Sequence, residues 1–239
     1  MKIIATLPTY NEAENILPLI EALLRVSRTM EVLVVDDNSP DGTWKLVGDL
    51  AERNPRVHLL HRTKERGRGT AGIAGFRKAL ELGADLVVEM DADWSHHPRF
   101  LRSMLRATRK ADVVIGSRLV AGGGETGRSP VRTLITRLAN LYIRSVLGLP
   151  VNDCTSGYRV FRRWVLEKTD WNAVKATGPA IVQEVLYASR ALRARIVEVP
   201  ILFEERRAGV SSFNSKIMVA GLMAQWRLRF RPAPIRTSR

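Results

Sequence analysis

A short apolar run that ends in acids, Leu86-Val87-Val88-Glu89-Met90-Asp91-Ala92-Asp93, indicates how this chain is organised. Its length and β-branched centre are typical of a buried strand in a parallel sheet. Open α/β sheets bind their ligands beyond the carboxyl ends of such strands, which is where these acids lie. Because residues two apart on an extended chain point to the same side, Asp91 and Asp93 are predicted to converge on one cation.

Two carboxylates in this position predict a divalent metal site. Their hard oxygen atoms suit Mg²⁺ or Mn²⁺, especially where a substrate diphosphate supplies the remaining ligands. The alternative is structural, since an aspartate at the end of a strand often caps the next helix. A single acid would favour that alternative, whereas a pair of acids after a core strand favours the metal.

The rest of the chain alternates strand and helix patterns on both sides of this run. Helical patterns lie at about 16–24, 44–53, 132–147 and 181–192, and a loop and helix punctuated by glycines reach residue 82. Short apolar strand patterns lie at 2–7, 31–35, 56–60, 111–116 and 195–203. This alternation predicts an α/β fold with a mostly parallel, Rossmann-like sheet flanked by helices.

Some local patterns carry their own expectations. Asn11 and Glu14 have the spacing of a capping box at the start of the first helix. The glycines at 122–127 predict a flexible loop. The adjacent His96 and His97 are interpreted as a solvated turn rather than as zinc ligands, because no third nitrogen or sulfur ligand lies nearby.

Two further patterns are less specific. The pair Gly67-x-Gly69 follows the third strand with the wrong spacing for a dinucleotide fingerprint, and is interpreted as close backbone packing around a nucleotide. Glu184 lies in an apolar helix, so it is expected either to be paired structurally or to point into the site.

The charge of the chain indicates an anionic partner. Its 239 residues include 38 Lys and Arg against 24 Asp and Glu, a formal net charge of +14. Such an excess is typical of proteins that bind nucleic acid or the anionic face of a membrane. The single cysteine, Cys154, excludes an internal disulfide and fits a reducing compartment. No signal peptide precedes the first strand, and no segment approaches the ~20 apolar residues that span a bilayer.

The end of the chain has a different pattern. Residues 213–239 are predicted to form a basic amphipathic helix and tail near a membrane, appended to a domain at 1–212. The helical part, at 216–231, places Lys and Arg beside apolar residues, a composition suited to an anionic bilayer surface. Packing of this helix on the domain is an equally weighted alternative. Residues from Pro232 onward are predicted to be disordered.

Five motifs occur here in the order seen in family-2 inverting glycosyltransferases, and together they most closely resemble the dolichol- and polyprenol-phosphate mannose synthases. The motifs are Pro8-Thr9-Tyr10-Asn11-Glu12, Asp36-Asp37-Asn38-Ser39-Pro40-Asp41-Gly42-Thr43, Met90-Asp91-Ala92-Asp93, Gly116-Ser117-Arg118 and Ser156-Gly157-Tyr158-Arg159. The resemblance covers about residues 3–212. It implies a GT-A-type catalytic domain at 1–212 that uses Mg²⁺ or Mn²⁺.

On the donor side, the resemblance implies a guanosine site made by Pro8, Tyr10, Glu12, Val35 and Asp37. The carboxylate of Asp37 would accept hydrogen bonds from the base or the ribose. Asp91 and Ala92 would lie along the ribose and diphosphate. Asp93 would bind the metal, with Ser95 as a further ligand or as a group that holds the ligand in place.

On the acceptor side, the resemblance implies that Arg118, Arg132 and Thr136 bind the phosphate of a polyprenyl monophosphate. Arg118 and Arg132, together with Asp93, would then be the catalytic residues. The match also assigns Arg206 and Ser212 to the donor diphosphate. Ser212 is a departure, because the family usually has a lysine there, and Lys216 or Arg207 is the candidate to supply that charge.

The reaction implied is the inverting transfer of mannose from GDP-mannose to a polyprenyl phosphate. The acceptor phosphate is anionic at pH 7, so no strong base is needed to deprotonate it. The enzyme has to neutralise its charge and orient one of its oxygen atoms toward the sugar. The expected partners are therefore GDP-mannose, a polyprenyl monophosphate and an anionic membrane surface, with a membrane-anchoring protein as a further hypothesis. The expected location is the cytoplasm, at the cytosolic face of a membrane.

Two alternatives remain open at this point. The same fold could use another donor such as UDP-glucose, because base and sugar preference depend on details that the motifs do not resolve. A basic module that binds nucleic acid is the alternative from a different class, but the positive charge is spread along the chain without a stacking set of aromatic residues. No nucleic-acid partner is therefore expected.

Overall fold

The computed structural model describes residues 1–64, 66–176, 178–204 and 224–236. Its strands are β1 (Ile3–Thr9), β2 (Met30–Asp36), β3 (Val57–His61), β4 (Leu86–Glu89), β5 (Val113–Ser117), β6 (Gly124–Thr126), β7 (Arg159–Arg162), β8 (Ile196–Pro200) and β9 (Leu202–Glu204). Its helices are α1 (Ala13–Leu24), α2 (Thr43–Arg53), α3 (Arg68–Glu81), α4 (Leu101–Ala107), α5 (Pro130–Leu147), α6 (Arg163–Lys168) and α7 (Ile181–Ala191).

Seven strands form one central sheet in the order β3-β2-β1-β4-β7-β5-β8. All neighbours are parallel except β7, which runs antiparallel to both β4 and β5. Strands β6 and β9 form a separate parallel pair. The predicted α/β class and the mostly parallel sheet with flanking helices are therefore confirmed.

Two apolar layers, one on each face of the sheet, hold these elements together. On one face Phe76 contacts the rings of both Phe161 and Trp171. On the other face the buried side chains of α1, such as Leu19 and Leu23, pack against the first strands. Fully burying one side chain of this size contributes roughly 1.5–3 kcal/mol, so the layers can fix the sheet edge that carries the polar residues.

The element boundaries differ from the sequence expectations at three places. Pro8 lies inside β1 rather than ending it. The capping box is wrong: Glu12 is the residue before α1, it makes no capping side-chain bond, and Asn11 has a positive φ of 60°. The fourth strand ends at Glu89, so Asp91 and Asp93 lie in the following loop and not on an extended strand.

The later part of the chain also departs from the prediction. The pattern at 195–203 forms two strands in different sheets, β8 and β9. Part of the glycine loop is β6, because Gly124 and its two successors pair with β9. Glu184 is structural, since its carboxylate accepts the backbone N–H groups of Lys175 and Ala176.

The described end of the chain is ordered against the domain. Residues 224–229 are helical, and Leu228 joins the core. Ile235 makes a β-bridge with Thr169, so the expected disorder from Pro232 onward is wrong for residues 232–236. The boundary at residue 212 lies outside the described residues, and the division at that point stays a prediction. Among the described residues no helix combines the length and the apolar character that crossing a bilayer requires.

Candidate active site

The donor-side residues meet at the carboxyl ends of β1, β2 and β4. Pro8 pairs in register with Val35, and the backbone N–H of Asp37 donates to the carbonyl of Thr9. Thr6 of β1 pairs with Glu89, the last residue of β4, so the Asp91 loop begins beside the same two strands. The parallel topology therefore brings the motif residues of the donor side to one edge of the sheet.

Asp37 is held in a partly enclosed position. Its Oδ2 accepts the backbone N–H of Gly67 at 2.8 Å, and its Oδ1 lies 3.3 Å from Nη1 of Arg62. Burial raises the pKa of the Asp37 carboxyl, against the lowering effect of the Gly67 hydrogen bond and of Arg62. Oδ1 accepts no hydrogen bond from the described residues, which leaves an acceptor of the kind that a base or ribose needs.

The neighbouring acid, Asp36, has a structural role instead. It is buried, and its carboxylate accepts hydrogen bonds from the hydroxyls of Thr9 and Ser39 and from the N–H of Ser39. These bonds fix the turn that follows β2. The two adjacent acids therefore differ in function because their side chains face different surroundings.

The remaining donor-side candidates line the same edge. Tyr10 is 47% exposed, with the guanidinium of Arg66 5.5 Å from its ring centroid. Glu12 is partly buried; its backbone N–H donates to Thr43, and its carboxylate accepts the side-chain amide of Asn15. An exposed aromatic ring beside Asp37 is a surface on which a nucleotide base can stack.

Asp91 is oriented by a histidine that the sequence did not reveal. His96 is buried, and its Nδ1 accepts the backbone N–H of Asp91 at 2.9 Å. Burial lowers the pKa of His96, although Asp91 and Asp93 act in the opposite direction, so the neutral ring that this bond requires is favoured. The interpretation of His96 as part of a solvated turn was wrong, because its ring stacks on Tyr158 with centroids 5.1 Å apart.

Asp93 is buried in the same loop and is held by Ser95. Its Oδ1 accepts the hydroxyl of Ser95 at 2.5 Å and the backbone N–H of Ser95 at 3.1 Å. Ala92 between the two acids is also buried and belongs to the apolar layer beneath. In this arrangement the hydroxyl of Ser95 is a donor to Asp93, which fits the role of holding the carboxylate in place.

The residues of this loop fit a hard divalent cation. Burial lowers the pKa of Arg68, but Asp91, Glu89 and Asp93 outweigh it and the net pKa is raised, so these carboxylates surround one cationic group. Within the described ranges no three His, Cys, Asp or Glu side chains are grouped as a metal site. Carboxylate oxygens of this kind suit Mg²⁺ or Mn²⁺ that also binds diphosphate oxygens.

A buried ion network lies beneath this loop, and sequence reasoning missed it. Nη2 of Arg68 donates to Oδ1 of Asp91, and Nη1 lies 3.7 Å from the carboxylate of Glu89. Burial raises the pKa of Glu89, while Arg68 and Arg159 lower it. A glutamate inside a buried strand is the sequence signal that could have revealed the network, since such a charge needs a partner.

On the acceptor side, Arg118 follows β5 and is clamped by Asp153. Its Nε and Nη2 donate to the two carboxylate oxygens of Asp153, both at 2.8 Å, and Nη1 lies 3.2 Å from Glu125. Burial raises the pKa of Asp153, but Arg118 outweighs that effect and the net pKa is low. Neither acid was predicted, although Asp153 lies in the polar stretch before Ser156-Gly157-Tyr158-Arg159.

The other two acceptor candidates lie on α5. Arg132 is exposed, and its carbonyl accepts the hydroxyl of Thr136 at 3.0 Å, one helical turn later. A further arginine, Arg128, donates through Nη1 to Glu125 at 2.9 Å and to Thr136 at 3.2 Å. The Nε–H of Arg128 is buried and finds no acceptor among the described residues. Arg128 is an additional cation that the motifs did not predict.

One aromatic ring connects the two sides. The ring centroid of Phe203, on β9, lies 6.0 Å from that of His96, 5.5 Å from the Arg118 guanidinium and 5.2 Å from that of Arg128. His96, which bonds the backbone of Asp91, and the acceptor-side arginines therefore lie against the same aromatic ring. Arg206 and Ser212, the remaining predicted donor residues, lie outside the described residues.

The chain was compared with families of known proteins. The model of "Glycosyl transferase family 2" matches residues 5–170. The undecaprenyl-phosphate mannosyltransferase of Micrococcus luteus is 43% identical, over 95% of this chain and 96% of that protein. The polyprenol monophosphomannose synthase of Mycolicibacterium smegmatis is 41% identical, over 94% of this chain and 86% of that protein.

Two further comparisons extend this result. The dolichol-phosphate mannosyltransferase of Pyrococcus furiosus is 34% identical over 95% of this chain, which spans 64% of that protein. The structure of glucosyl-3-phosphoglycerate synthase from Mycobacterium tuberculosis with Mn²⁺, UDP and glucosyl-3-phosphoglycerate superposes with a TM-score of 0.67. The superposition covers 99% of this chain and 81% of the synthase chain, at 20% sequence identity. This similarity confirms the GT-A-type fold. The chain is a glycosyltransferase, and it belongs to glycosyl transferase family 2.

Proposed function

We propose that this enzyme transfers mannose from GDP-mannose to the phosphate of a polyprenyl monophosphate with inversion, giving polyprenyl-phosphate-mannose and GDP. The observation that carries the proposal is the single ring of Phe203 between the donor-side His96 and the acceptor-side Arg118. A lipid phosphate held by the arginines would lie next to a nucleotide sugar held at the strand ends. The names of the relatives at 41–43% identity support a mannosyl group and a polyprenyl phosphate as donor group and acceptor, and the guanosine donor follows from the motif match alone.

The donor is assigned to the edge formed by β1, β2 and β4. Tyr10 offers a ring for the guanine and Asp37 offers its Oδ1 to the base or ribose, next to the paired strand residues Pro8 and Val35. Asp91 and Ala92 then lie beside the ribose and diphosphate. Arg206 and Ser212 are proposed for the diphosphate from the motif match alone, as are Lys216 or Arg207 for the missing lysine.

Asp93 is proposed to hold Mg²⁺ or Mn²⁺, with Ser95 keeping its carboxylate in place. The cation would neutralise charge that develops on the leaving diphosphate. The structural neighbour with Mn²⁺ and UDP supports a divalent metal for this fold. Ser95 remains a candidate ligand if its hydroxyl turns from Asp93 to the metal.

The acceptor phosphate is assigned to Arg118, Arg132 and Thr136. Its oxygen atoms are anionic at neutral pH, so the arginines need only neutralise and aim one of them at the sugar. Arg118 is fixed by Asp153 before the acceptor arrives, whereas Arg132 is exposed and can approach the phosphate from α5. Arg118 would thus contribute a fixed donor and Arg132 a donor on the solvent-facing side of α5.

The exposed face of α5 supports association with a membrane. Four of its apolar side chains are more than half exposed: Val131, Leu134, Leu138 and Leu141. The leucines belong to the helical pattern predicted at 132–147, and in the structure these side chains face solvent. Because the same helix carries Arg132 and Thr136, an apolar bilayer surface against it would present a lipid phosphate to the acceptor site.

The direct test is transfer of radiolabel from GDP-mannose to short polyprenyl phosphates, followed by organic extraction. The proposal predicts label in the organic phase that requires Mg²⁺ or Mn²⁺. Calorimetry with GDP, GDP-mannose, UDP and UDP-glucose separates this donor from the same fold with a uridine donor. Stronger binding of UDP-glucose than of GDP-mannose would refute the proposed donor.

The location is proposed to be the cytosolic face of a membrane, with peripheral binding to anionic lipid and with a membrane protein as an anchor. Liposome sedimentation tests both the binding to anionic lipid and the need for an anchoring protein. Binding of the purified protein to anionic vesicles, with full turnover of a long-chain acceptor, would support the surface and refute the need for the anchor.

A further inference from the structure

The Arg68 guanidinium lies beside Asp91, at the edge assigned to the donor diphosphate, whose negative charge requires a positive partner. Nη2 donates to Asp91, and Nη1 faces Glu89 at 3.7 Å. Nη1 is buried and makes no hydrogen bond with the described residues. The guanidinium is thus hydrogen-bonded at one end of its fork, whereas the other end has only the longer ion pair with Glu89. Both ends lie beside the acids assigned to the diphosphate and the cation.

The backbone around Arg68 is built for this position. Arg68 is the first residue of α3, and the residue before it, Gly67, donates its N–H to Asp37. Gly157 lies over the guanidinium: a Cβ at that position would be 2.7 Å from Nη2 of Arg68. The glycine therefore leaves room for the arginine against Asp91. One short segment, 67–68, contacts both Asp37 and Asp91.

A purely structural salt bridge is the alternative explanation. It accounts for the contact with Asp91, but it leaves Nη1 without a hydrogen bond in a site assigned to a diphosphate. Arginine forks match phosphate oxygens in geometry and charge, so an incoming diphosphate would supply the hydrogen bond that Nη1 does not make with Glu89. The carboxylate released by such a move is Asp91, two residues before Asp93, the acid proposed to hold the cation.

We propose that Arg68 is a positioning residue that acts as an exchangeable counter-ion of the donor site. It neutralises Asp91 while the site is empty, turns to the diphosphate when the nucleotide binds, and so makes cation binding depend on the nucleotide. This inference rests on the proposed function, because it assumes that the diphosphate and cation bind beside Asp91 and Asp93.

The consequence is a coupling between two ligands. In the nucleotide-free wild type the charge of Arg68 already balances the negative charge of Asp91 and Asp93, so a cation at Asp93 binds weakly. The nucleotide removes that competition, and by linkage the cation strengthens nucleotide binding by the same factor. Replacing Arg68 by an uncharged side chain of similar length removes the competitor. The negative charge of Asp91 and Asp93 then lacks its arginine counter-ion, and the cation can bind there more tightly.

The test measures Mn²⁺ affinity by electron paramagnetic resonance, with and without GDP, for the wild type and Arg68→Met. We expect Mn²⁺ to bind the nucleotide-free variant roughly 10- to 100-fold more tightly, the range for loss of a charged hydrogen bond. The factor by which GDP strengthens Mn²⁺ binding should fall to the same extent. Arg77→Met is the matched control, since Arg77 is an exposed arginine of α3 whose guanidinium bonds Asn172.

A second variant guards against misfolding of the first. Gly157→Ala keeps Arg68 but crowds its Nη2, so it should also strengthen nucleotide-free Mn²⁺ binding. Circular dichroism establishes that each variant is folded. Unchanged or weaker Mn²⁺ binding by folded Arg68→Met or Gly157→Ala, with a wild type that binds Mn²⁺ and GDP together, overturns this inference alone. A wild type that binds no Mn²⁺ in the presence of GDP overturns the proposed metal site and this inference with it.

Discussion

The guanidinium of Arg118 and the carboxylate of Asp153 form a two-pronged ion pair, with Nε and Nη2 each donating at 2.8 Å to a separate oxygen. Both side chains are nearly inaccessible to solvent. The backbone N–H of Arg118 also donates to Asp153, so main chain and side chain are held together. A residue assigned to a mobile lipid phosphate is thus fixed by a buried acid.

The variant Asp153→Asn tests this clamp. The amide keeps an acceptor but loses the charge, which leaves the buried Arg118 with Glu125 as its remaining ion-pair partner among the described residues. We expect a loss of about 3–5 kcal/mol in the free energy of unfolding, measured with urea. The control is Glu21→Gln, which removes the exposed ion pair with Arg25 and should cost at most about 1 kcal/mol. Equal losses for the two variants would contradict the buried clamp.

The variant Asp93→Asn tests the cation site. The buried amide can still accept the Ser95 bond, so the loop should keep its shape. GDP affinity, measured by calorimetry, should no longer increase when Mn²⁺ is added, and kcat/KM should fall roughly 100-fold or more. Asp49→Asn, an exposed change on α2, should behave as the wild type. Retained metal-dependent turnover by Asp93→Asn would refute the assignment.

The variant Arg132→Ala separates acceptor from donor. We expect KM for a short, water-soluble polyprenyl phosphate to rise at least about tenfold while GDP-mannose affinity stays unchanged, because Arg132 faces solvent on α5. Arg137→Ala, an exposed neighbour on the same helix, is the control. Equal losses for donor and acceptor would contradict the role given to Arg132.

The paired change Leu134→Glu and Leu138→Glu tests the apolar face of α5. Both side chains are more than half exposed, so stability should change by only about 0.5 kcal/mol per site. Binding to anionic liposomes and turnover of a long-chain acceptor should fall, while turnover of the short acceptor should persist. Leu46→Glu on α2 is the control. Liposome binding that is unaffected by the α5 changes would exclude this face as the membrane surface.

The single cysteine gives a prediction about pH. Burial raises the pKa of the Cys154 thiol from 9.0 to about 12. At pH 8 iodoacetamide should therefore label the native protein roughly 1000-fold more slowly than the unfolded chain. Fast labelling of the native protein would show that the thiol is not buried as described.

The raised pKa of Cys154 also determines how the free energy of unfolding changes with pH. The native state keeps the thiol proton above pH 9 while the unfolded chain loses it, so this group's contribution to stability is complete below pH 9. That contribution declines as the pH rises toward 12, by at most about 1.4 kcal/mol per pH unit. Cys154→Ala should show a shallower decline than the wild type in urea titrations across this range.

The sequence predicts most of the sheet because the strands are short apolar runs that end in polar turn residues. The alternation places β1 to β5 and the main helices within a few residues. The alternation misplaces elements whose secondary structure depends on pairing with a distant strand. Gly124 and its successors become a strand only because β9 lies beside them, and Pro8 fits inside β1 because the strand continues beside β2.

The site is predictable only in part, for a physical reason. Asp91, Asp93 and Arg118 follow strand ends, a position that reveals them in the sequence. Arg68, His96 and Asp153 act as partners of those residues across long separations in the chain. Periodicity cannot show such pairs, because it reports which face of an element a residue occupies and not which distant side chain completes its charge.

The most direct measurement of the central claim is a crystal structure of the protein with GDP-mannose and Mn²⁺, with anomalous scattering recorded at the manganese edge. We predict an anomalous peak within bonding distance of a carboxylate oxygen of Asp93, with diphosphate oxygens completing its coordination and guanosine beside Asp37. A peak or a nucleotide bound elsewhere on the molecule would contradict the account.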